Sequence, residues 1–322
     1  MKIILGTNRY TGRPLEILRS EVPAGFEFRM LSEQTEECFL RSVSDADYIL
    51  AGGRTRVTAA VLKSAARLKM VQRSGVGLDA LDLDALKQAG IPLYVNQGVN
   101  AESVAEHALM LILACLRRLP EINRNTHEGQ WRKQEQGIRT TELRGKTVGI
   151  IGMGNVGLKL AELLRPFEVE ILYSNLFRLP ADQEEREHMR FADVDTILAN
   201  SQVVSLHCAL TPETRGLIGE NAIRKMKDGA ILINTARGEL VDPVALKNAL
   251  ESGKLSFAAL DVHTQEPIRE DYPLLGLGNV ILTPHVAGVT EDSFRAMMHD
   301  AFRNIDCFEQ GRLSEIEPYR YL

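Results

Sequence analysis

The stretch Thr147-Val148-Gly149-Ile150-Ile151 runs without a break into Gly152-Met153-Gly154-Asn155-Val156-Gly157, and residues 156–164 continue with helical spacing. A strand that turns on glycines straight into a helix leaves few folds open. Gly152 permits the tight turn, Gly154 lets the main chain approach a pyrophosphate, and Gly157 lets the helix pack close to the strand. The first N–H groups of that helix, at Asn155 and Val156, lack intrahelical partners and point at an anion. This context implies a dinucleotide-phosphate site at the first strand of a parallel α/β sheet. The alternative is a glycine-rich turn that binds nothing.

The rest of the chain repeats the theme. Strands are predicted at 3–5, 48–50, 70–72 and 93–95, with helices over 57–68 and 81–89. A second series begins at Lys146, with strands at 148–151, 171–173, 203–206, 231–233, 258–260 and 280–282, and helices at 156–164, 194–198 and 243–250. Strands alternating with helices imply parallel sheets. Between the two series, 101–116 reads AESVAEHALMLILACL, a helix apolar on most faces and expected to be buried between domains or subunits. The stretch 291–312 is helical and of mixed polarity. The expected fold class is therefore α/β, two doubly wound parallel-sheet domains. The chain leaves the first, builds the second and returns, so residues 1–99 and 290–322 form one domain and 100–289 the other. Hinges are expected near 98–101 and 287–290.

Composition narrows the partners. A chain of 322 residues is long enough for two cores. The net charge is −5 with both signs interspersed, which argues against nucleic acid or a membrane surface as the main partner. No apolar run reaches membrane-spanning length. The start, Met1 to Gly6, reads as a strand and not as a signal peptide. Cys38, Cys115, Cys208 and Cys307 lie far apart and form no CxxC, so no metal site is expected and the compartment reads as cytoplasmic.

Three segments end predicted strands with reactive side chains: Asn234-Thr235-Ala236-Arg237-Gly238, Asp261-Val262-His263-Thr264-Gln265-Glu266-Pro267, and Thr283-Pro284-His285. Ligands of open α/β sheets bind beyond the carboxyl ends of strands. An Arg, a Glu and a His there suit a carboxylate-bearing substrate and proton transfer.

With Val104-Ala105-Glu106-His107, Ser205-Leu206-His207 and Leu210-Thr211-Pro212-Glu213-Thr214-Arg215-Gly216-Leu217, the order and spacing of these motifs are specific. The chain resembles, over nearly its whole length, the D-isomer-specific 2-hydroxyacid dehydrogenases, the family of D-3-phosphoglycerate dehydrogenases and glyoxylate/hydroxypyruvate reductases. The resemblance implies a Rossmann-type nucleotide domain inserted into a flavodoxin-like substrate domain, with NAD(P)(H) as cofactor and a small 2-keto or 2-hydroxy acid as substrate. It implies that Arg237 clamps the substrate carboxylate, that His285 is the acid/base, and that Glu266 hydrogen-bonds the His285 ring. Thr235, Ala236, Asp261 and His207 would lie at the cofactor, Asp261 on the nicotinamide carboxamide. Gly75, Val76 and Gly77 would offer main-chain N–H groups to the substrate, and Asn100 would lie near substrate and hinge. His263 is an alternative proton carrier. A homodimer is implied through the nucleotide domain, with 101–116 and 121–137, including Trp131, in the contact.

Two places depart from the family pattern. NAD-preferring members carry an acidic residue where this chain has Ser174, 22 residues after Gly152. Ser174 and Asn175 neither hold the ribose hydroxyls strongly nor repel a 2′-phosphate, and Arg178 is close enough in sequence to meet one, so the site electrostatics lean to NADP(H). The segment Ala51-Gly52-Gly53-Arg54-Thr55 lacks the Arg that phosphoglycerate-type members place near Gly52, unless Arg54 or Arg56 substitutes. The sequence given stops soon after the last helical stretch, so no serine-sensing domain is expected. A non-enzymatic NAD(H)-sensing, corepressor-like protein on the same fold is the competing reading. Formate or phosphite oxidation is another; formate-oxidising relatives carry Gln beside the His, and Glu266 argues against that.

Overall fold

Strands buried on both faces read as unbroken apolar runs, and the chain supplies them in two groups. The computed structural model describes every residue except Arg54, Val76 and Asp79. It divides into two compact units, Met1–Asn100 with Val289–Leu322, and Ala101–Gly288.

In the first unit, β1 (Lys2–Gly6), β2 (Phe26–Met30), β3 (Tyr48–Ala51), β4 (Met70–Arg73) and β5 (Leu93–Val95) form a sheet in the order β2-β1-β3-β4-β5, every pairing parallel. This is the flavodoxin-like order. Central β3 is buried throughout, whereas edge strand β2 is half-exposed. That half-exposure hides β2 in the sequence: Phe26-Glu27-Phe28-Arg29-Met30 alternates instead of running apolar. The helix Glu291–Glu309 belongs to this unit and buries Phe294, Met298, Ala301, Phe302 and Ile305 on one face. Thr290 and Ser293 bond each other's backbone in a capping box that fixes its start. It ends three residues before the predicted limit.

In the second unit, β6 (Thr147–Ile151), β7 (Glu170–Ser174), β8 (Met189–Phe191), β9 (Val203–Leu206), β10 (Ala230–Asn234), β11 (Leu255–Leu260) and β12 (Val280–Leu282) form one parallel sheet in the order β12-β11-β10-β9-β6-β7-β8. Read from β8, this is the Rossmann order with one strand added at the far edge. The order reverses between β6 and β9, where ligands of such sheets bind. The short edge strand β8 is the one the pattern of apolar residues does not announce.

The helix Ala101–Leu116 has the predicted limits. Its apolar face does not wait for a second domain or subunit. Ala105, Ala108, Leu111, Ile112 and Cys115 are buried in the core of the second unit beside Leu160, Ala161 and Leu164 of the helix Asn155–Leu164. The expectation that this helix sits mainly between domains or subunits is therefore corrected, although Met110 on it is half-exposed. No helix of the described residues is long and apolar enough to cross a membrane.

Candidate active site

The glycine turn sits at the switch point of the second sheet. Gly152 has φ 101°, and a Cβ there would lie 2.3 Å from the Cys208 nitrogen and 2.5 Å from the His207 carbonyl carbon, at the end of β9. A Cβ on Gly157 would lie 2.4 Å from the Gly152 carbonyl oxygen. A Cβ on Gly154, by contrast, would meet nothing within 4 Å. Two glycines are thus required by the protein's own packing, while the third faces open space at the N-cap of Asn155–Leu164. The N–H of Gly152 donates to the Ser174 carbonyl at 2.9 Å, which sets residue 174 beside the turn. His207 donates its N–H to Ile151 at 2.8 Å and its ring lies 2.8 Å from the Ser205 hydroxyl. Desolvation pushes the His207 ring down to about 4, so it is neutral near pH 7. Thr235, just beyond β10, buries a hydroxyl that has no partner among the described residues. An open glycine, a helix N-terminus and an unused buried hydroxyl fit a bound dinucleotide.

Arg178 is not idle. Its Nε and Nη2 donate to the two oxygens of Glu184 at 2.9 and 2.7 Å, and the Tyr173 hydroxyl donates to Glu184 as well. These bonds, the guanidinium first, hold the Glu184 carboxyl down to about 2. Ser174 and Asn175 bring no carboxylate to this corner.

The reactive side chains follow β10, β11 and β12. Fully buried Asn234 shapes the first loop. Its Oδ1 accepts the Ala236 N–H at 3.0 Å and its Nδ2 donates to the Arg237 carbonyl at 2.8 Å, an Asx-type turn. Arg237 then places Nη1 on the Ala236 carbonyl at 2.7 Å. Gly238 follows, where a Cβ would lie 2.0 Å from the His263 carbonyl carbon. Main chain thus lies directly on main chain, and the Arg237 loop is pressed against the segment that leads to Glu266.

Asp261, the residue after β11, has no exposed surface. Its Oδ1 accepts the Thr283 hydroxyl at 2.5 Å and the Val286 N–H at 2.9 Å, and its Oδ2 accepts the Ala287 N–H at 2.8 Å. Its carbonyl accepts the His285 N–H at 2.8 Å. These bonds engage the carboxylate in shaping the 283–287 turn. The turn holds His285 at φ 57°, a left-handed conformation that a non-glycine residue adopts at a cost.

The His285 Nδ1–H donates to Glu266 Oε2 at 2.8 Å, and the other oxygen of Glu266 accepts the His263 N–H at 2.8 Å. Glu266 is mostly covered, and the His285 side chain is 48% exposed. With Nδ1 held by Glu266, Nε2 is the ring nitrogen through which His285 would exchange a proton if it acts as an acid/base. His263, the alternative proton carrier, has both ring nitrogens engaged. Its Nε2 donates to the Thr283 carbonyl at 3.0 Å, which leaves Nδ1 to accept from the Tyr272 hydroxyl at 3.3 Å, and the ring is buried.

In the first unit, Gly75 and Gly77 follow β4, and a Cβ on Gly75 would meet nothing within 4 Å. Arg73 ties this loop down, donating to the Gly77 carbonyl at 2.6 Å and the Ala51 carbonyl at 3.1 Å. Val76 and Arg54 lie outside the described residues; Arg56 is exposed, and Asn100 closes the unit's first segment. Sequence reasoning met Asn234, Thr283, Arg73 and His107 inside motifs but gave them no role in the site. Only Asn234 carried a signal, a turn-forming side chain at a strand end.

A Rossmann sheet with this glycine turn defines a dinucleotide-binding protein with an Arg, a Glu and a His at adjacent strand ends. The family model for the NAD binding domain of D-isomer specific 2-hydroxyacid dehydrogenases matches residues 109–287. The chain is 41% identical over 270 residues to D-3-phosphoglycerate dehydrogenase of Archaeoglobus fulgidus, covering 84% of this chain and 50% of that protein. It is 39% identical over 281 residues to glyoxylate reductase of Thermofilum pendens, covering 87% and 83%. It thus spans about half the length of the phosphoglycerate dehydrogenase and most of the reductase. D-lactate dehydrogenase from Aquifex aeolicus, solved with NAD and lactic acid, superposes with a TM-score of 0.87 at 28% identity, covering 99% of this chain and 98% of that one. The chain belongs to the D-isomer specific 2-hydroxyacid dehydrogenase family.

Proposed function

We propose that this protein catalyses the reversible, NAD(P)(H)-dependent reduction of a small 2-keto acid of the glyoxylate or hydroxypyruvate type to its D-2-hydroxy acid. The observation that carries this reading is the His285–Glu266 pair at 2.8 Å, beside the loop that presents Arg237. Gly152, Gly154, Asn155, Val156 and Gly157 would hold the pyrophosphate, and Thr235, Ala236 and His207 would lie along the cofactor. The nicotinamide, when bound, supplies or accepts the hydride. Arg237 binds the carboxylate, its planar fork matching the two oxygens. In reduction His285 gives the Nε2 proton to the oxygen that was the ketone; in oxidation it takes that proton back. Glu266 keeps the ring oriented and stabilises its charged form. Gly75, Gly77 and Asn100 are assigned to substrate by resemblance, with Gly75 open to a ligand. A phosphorylated substrate would need Arg54 or Arg56 to take the place of the Arg that phosphoglycerate-type members carry near Gly52.

The cofactor reading leans to NADP(H), because no carboxylate stands at 174 or 175 to repel a 2′-phosphate. Arg178 would have to divide its donors between that phosphate and Glu184. We assign the dimer contact to 110–138, where Met110, Leu119, Trp131 and Ile138 are all exposed. Sedimentation of wild type and Trp131→Asp tests this, and a monomeric wild type removes the dimer.

One experiment tests the function: loss of reduced-nicotinamide absorbance with glyoxylate, hydroxypyruvate and pyruvate, run with NADH and NADPH. Turnover with any of the acids is expected. Silence across a broad 2-keto-acid panel would favour the sensor reading. Tighter binding of NADH than NADPH would sink the NADP(H) lean.

A further inference from the structure

We propose that His107 is a positioning residue: from the helix Ala101–Leu116 it locks the 283–287 turn that presents His285. The inference rests on the dehydrogenase reading above.

His107 is the last polar residue of the helix before the apolar run 108–116, and its side chain is 15% exposed. Its Nε2 lies 3.3 Å from the Thr283 hydroxyl and 3.8 Å from Asp261 Oδ1. A threonine hydroxyl has one hydrogen. That hydrogen is given to Asp261 Oδ1 at 2.5 Å. The Thr283 oxygen is then an acceptor toward His107, and Nε2–H must be the donor. The bonds form a directed chain from His107 through Thr283 to Asp261. Asp261 in turn holds the N–H groups of His285, Val286 and Ala287. The residues on both sides of His285 are thereby tied, through two side chains, to a helix in the unit's core.

Such a tie has work to do. A non-glycine residue at φ 57° persists only where its surroundings impose the conformation. A reacting group displaced by about 1 Å loses on the order of 100-fold in rate. His107 should therefore govern turnover, and the glycine turn at 152–157, to which none of the hydrogen bonds of this chain of three residues runs, should bind coenzyme without it.

The test compares His107→Ala with His107→Gln, whose amide restores a donor. Hydrogen–deuterium exchange of the 283–288 peptide, kcat and KM for the best of the three acids, and coenzyme Kd by titration are measured on the full chain. For His107→Ala, exchange in 283–288 should be about fivefold faster and kcat about tenfold lower. Coenzyme Kd should stay within about twofold, because the phosphate-binding helix N-terminus is untouched. His107→Gln should recover most of both losses. Unchanged exchange in His107→Ala overturns the proposal. So does faster exchange spread evenly over 101–288 without rescue by Gln, and so does faster local exchange with an unaltered kcat. A wild type that turns over none of the acids sinks the dehydrogenase reading instead, and the exchange data still decide whether His107 holds the turn.

Discussion

At the scale of single residues, the proposed mechanism separates a group that would touch the reaction from one that would aim it. His285 offers Nε2 while Glu266 holds Nδ1. His285→Ala should keep coenzyme affinity and lower kcat by at least ~100-fold, the worth of one placed acid/base; stopped-flow turnover beside a coenzyme titration reads both. Near-normal turnover would remove His285 from the mechanism. The residues proposed for the chemistry were legible in the sequence because Arg237, Glu266 and His285 carry reactive groups and follow predicted strands. Asn234, Thr283 and His107 were not. Their roles lie in which backbone groups they reach, and that depends on how three loops and a helix come together.

At the scale of elements, glycines with the same name have different causes. Gly152, Gly157 and Gly238 are demanded by protein atoms, whereas Gly154 faces open space. Gly154 also has φ −87°, which alanine adopts without strain. Gly154→Ala should therefore leave stability within about 1 kcal/mol, mostly a capping loss, yet weaken coenzyme binding by about tenfold or more by filling the space needed for pyrophosphate. Thermal unfolding and coenzyme titration check the two halves; undiminished affinity would mean the pyrophosphate lies elsewhere. Elements were readable in proportion to burial. Central strands β3, β6 and β10 announce themselves as apolar runs, and edge strands β2 and β8 do not, because half their side chains face water. The helix Ala101–Leu116 was placed to the residue, but its neighbours were not: an apolar surface says that something covers it, without saying what.

At the scale of the whole molecule, stability should respond to acid in two windows. His207 is held at about 4, below the usual histidine value of 6.5. Between those values the unfolded chain binds a proton that the native ring refuses, so stability falls as pH drops from ~6.5 to ~4. Glu184, held at about 2, adds a loss that begins only below the ordinary carboxylate value near 4.5. Urea midpoints at pH 7.5 and 5 read the first window, and His207→Gln should flatten part of that slope; an equal slope in the variant would discount His207. The left-handed backbone at His285 has its own consequence for the whole fold. Asparagine tolerates that conformation better than histidine, so His285→Asn should relieve up to about 1 kcal/mol and raise the melting temperature by ~1–3 °C while abolishing turnover. Selection for heat resistance alone would then drift toward an inert protein, and only selection for activity keeps a histidine where the chain would be more comfortable without one.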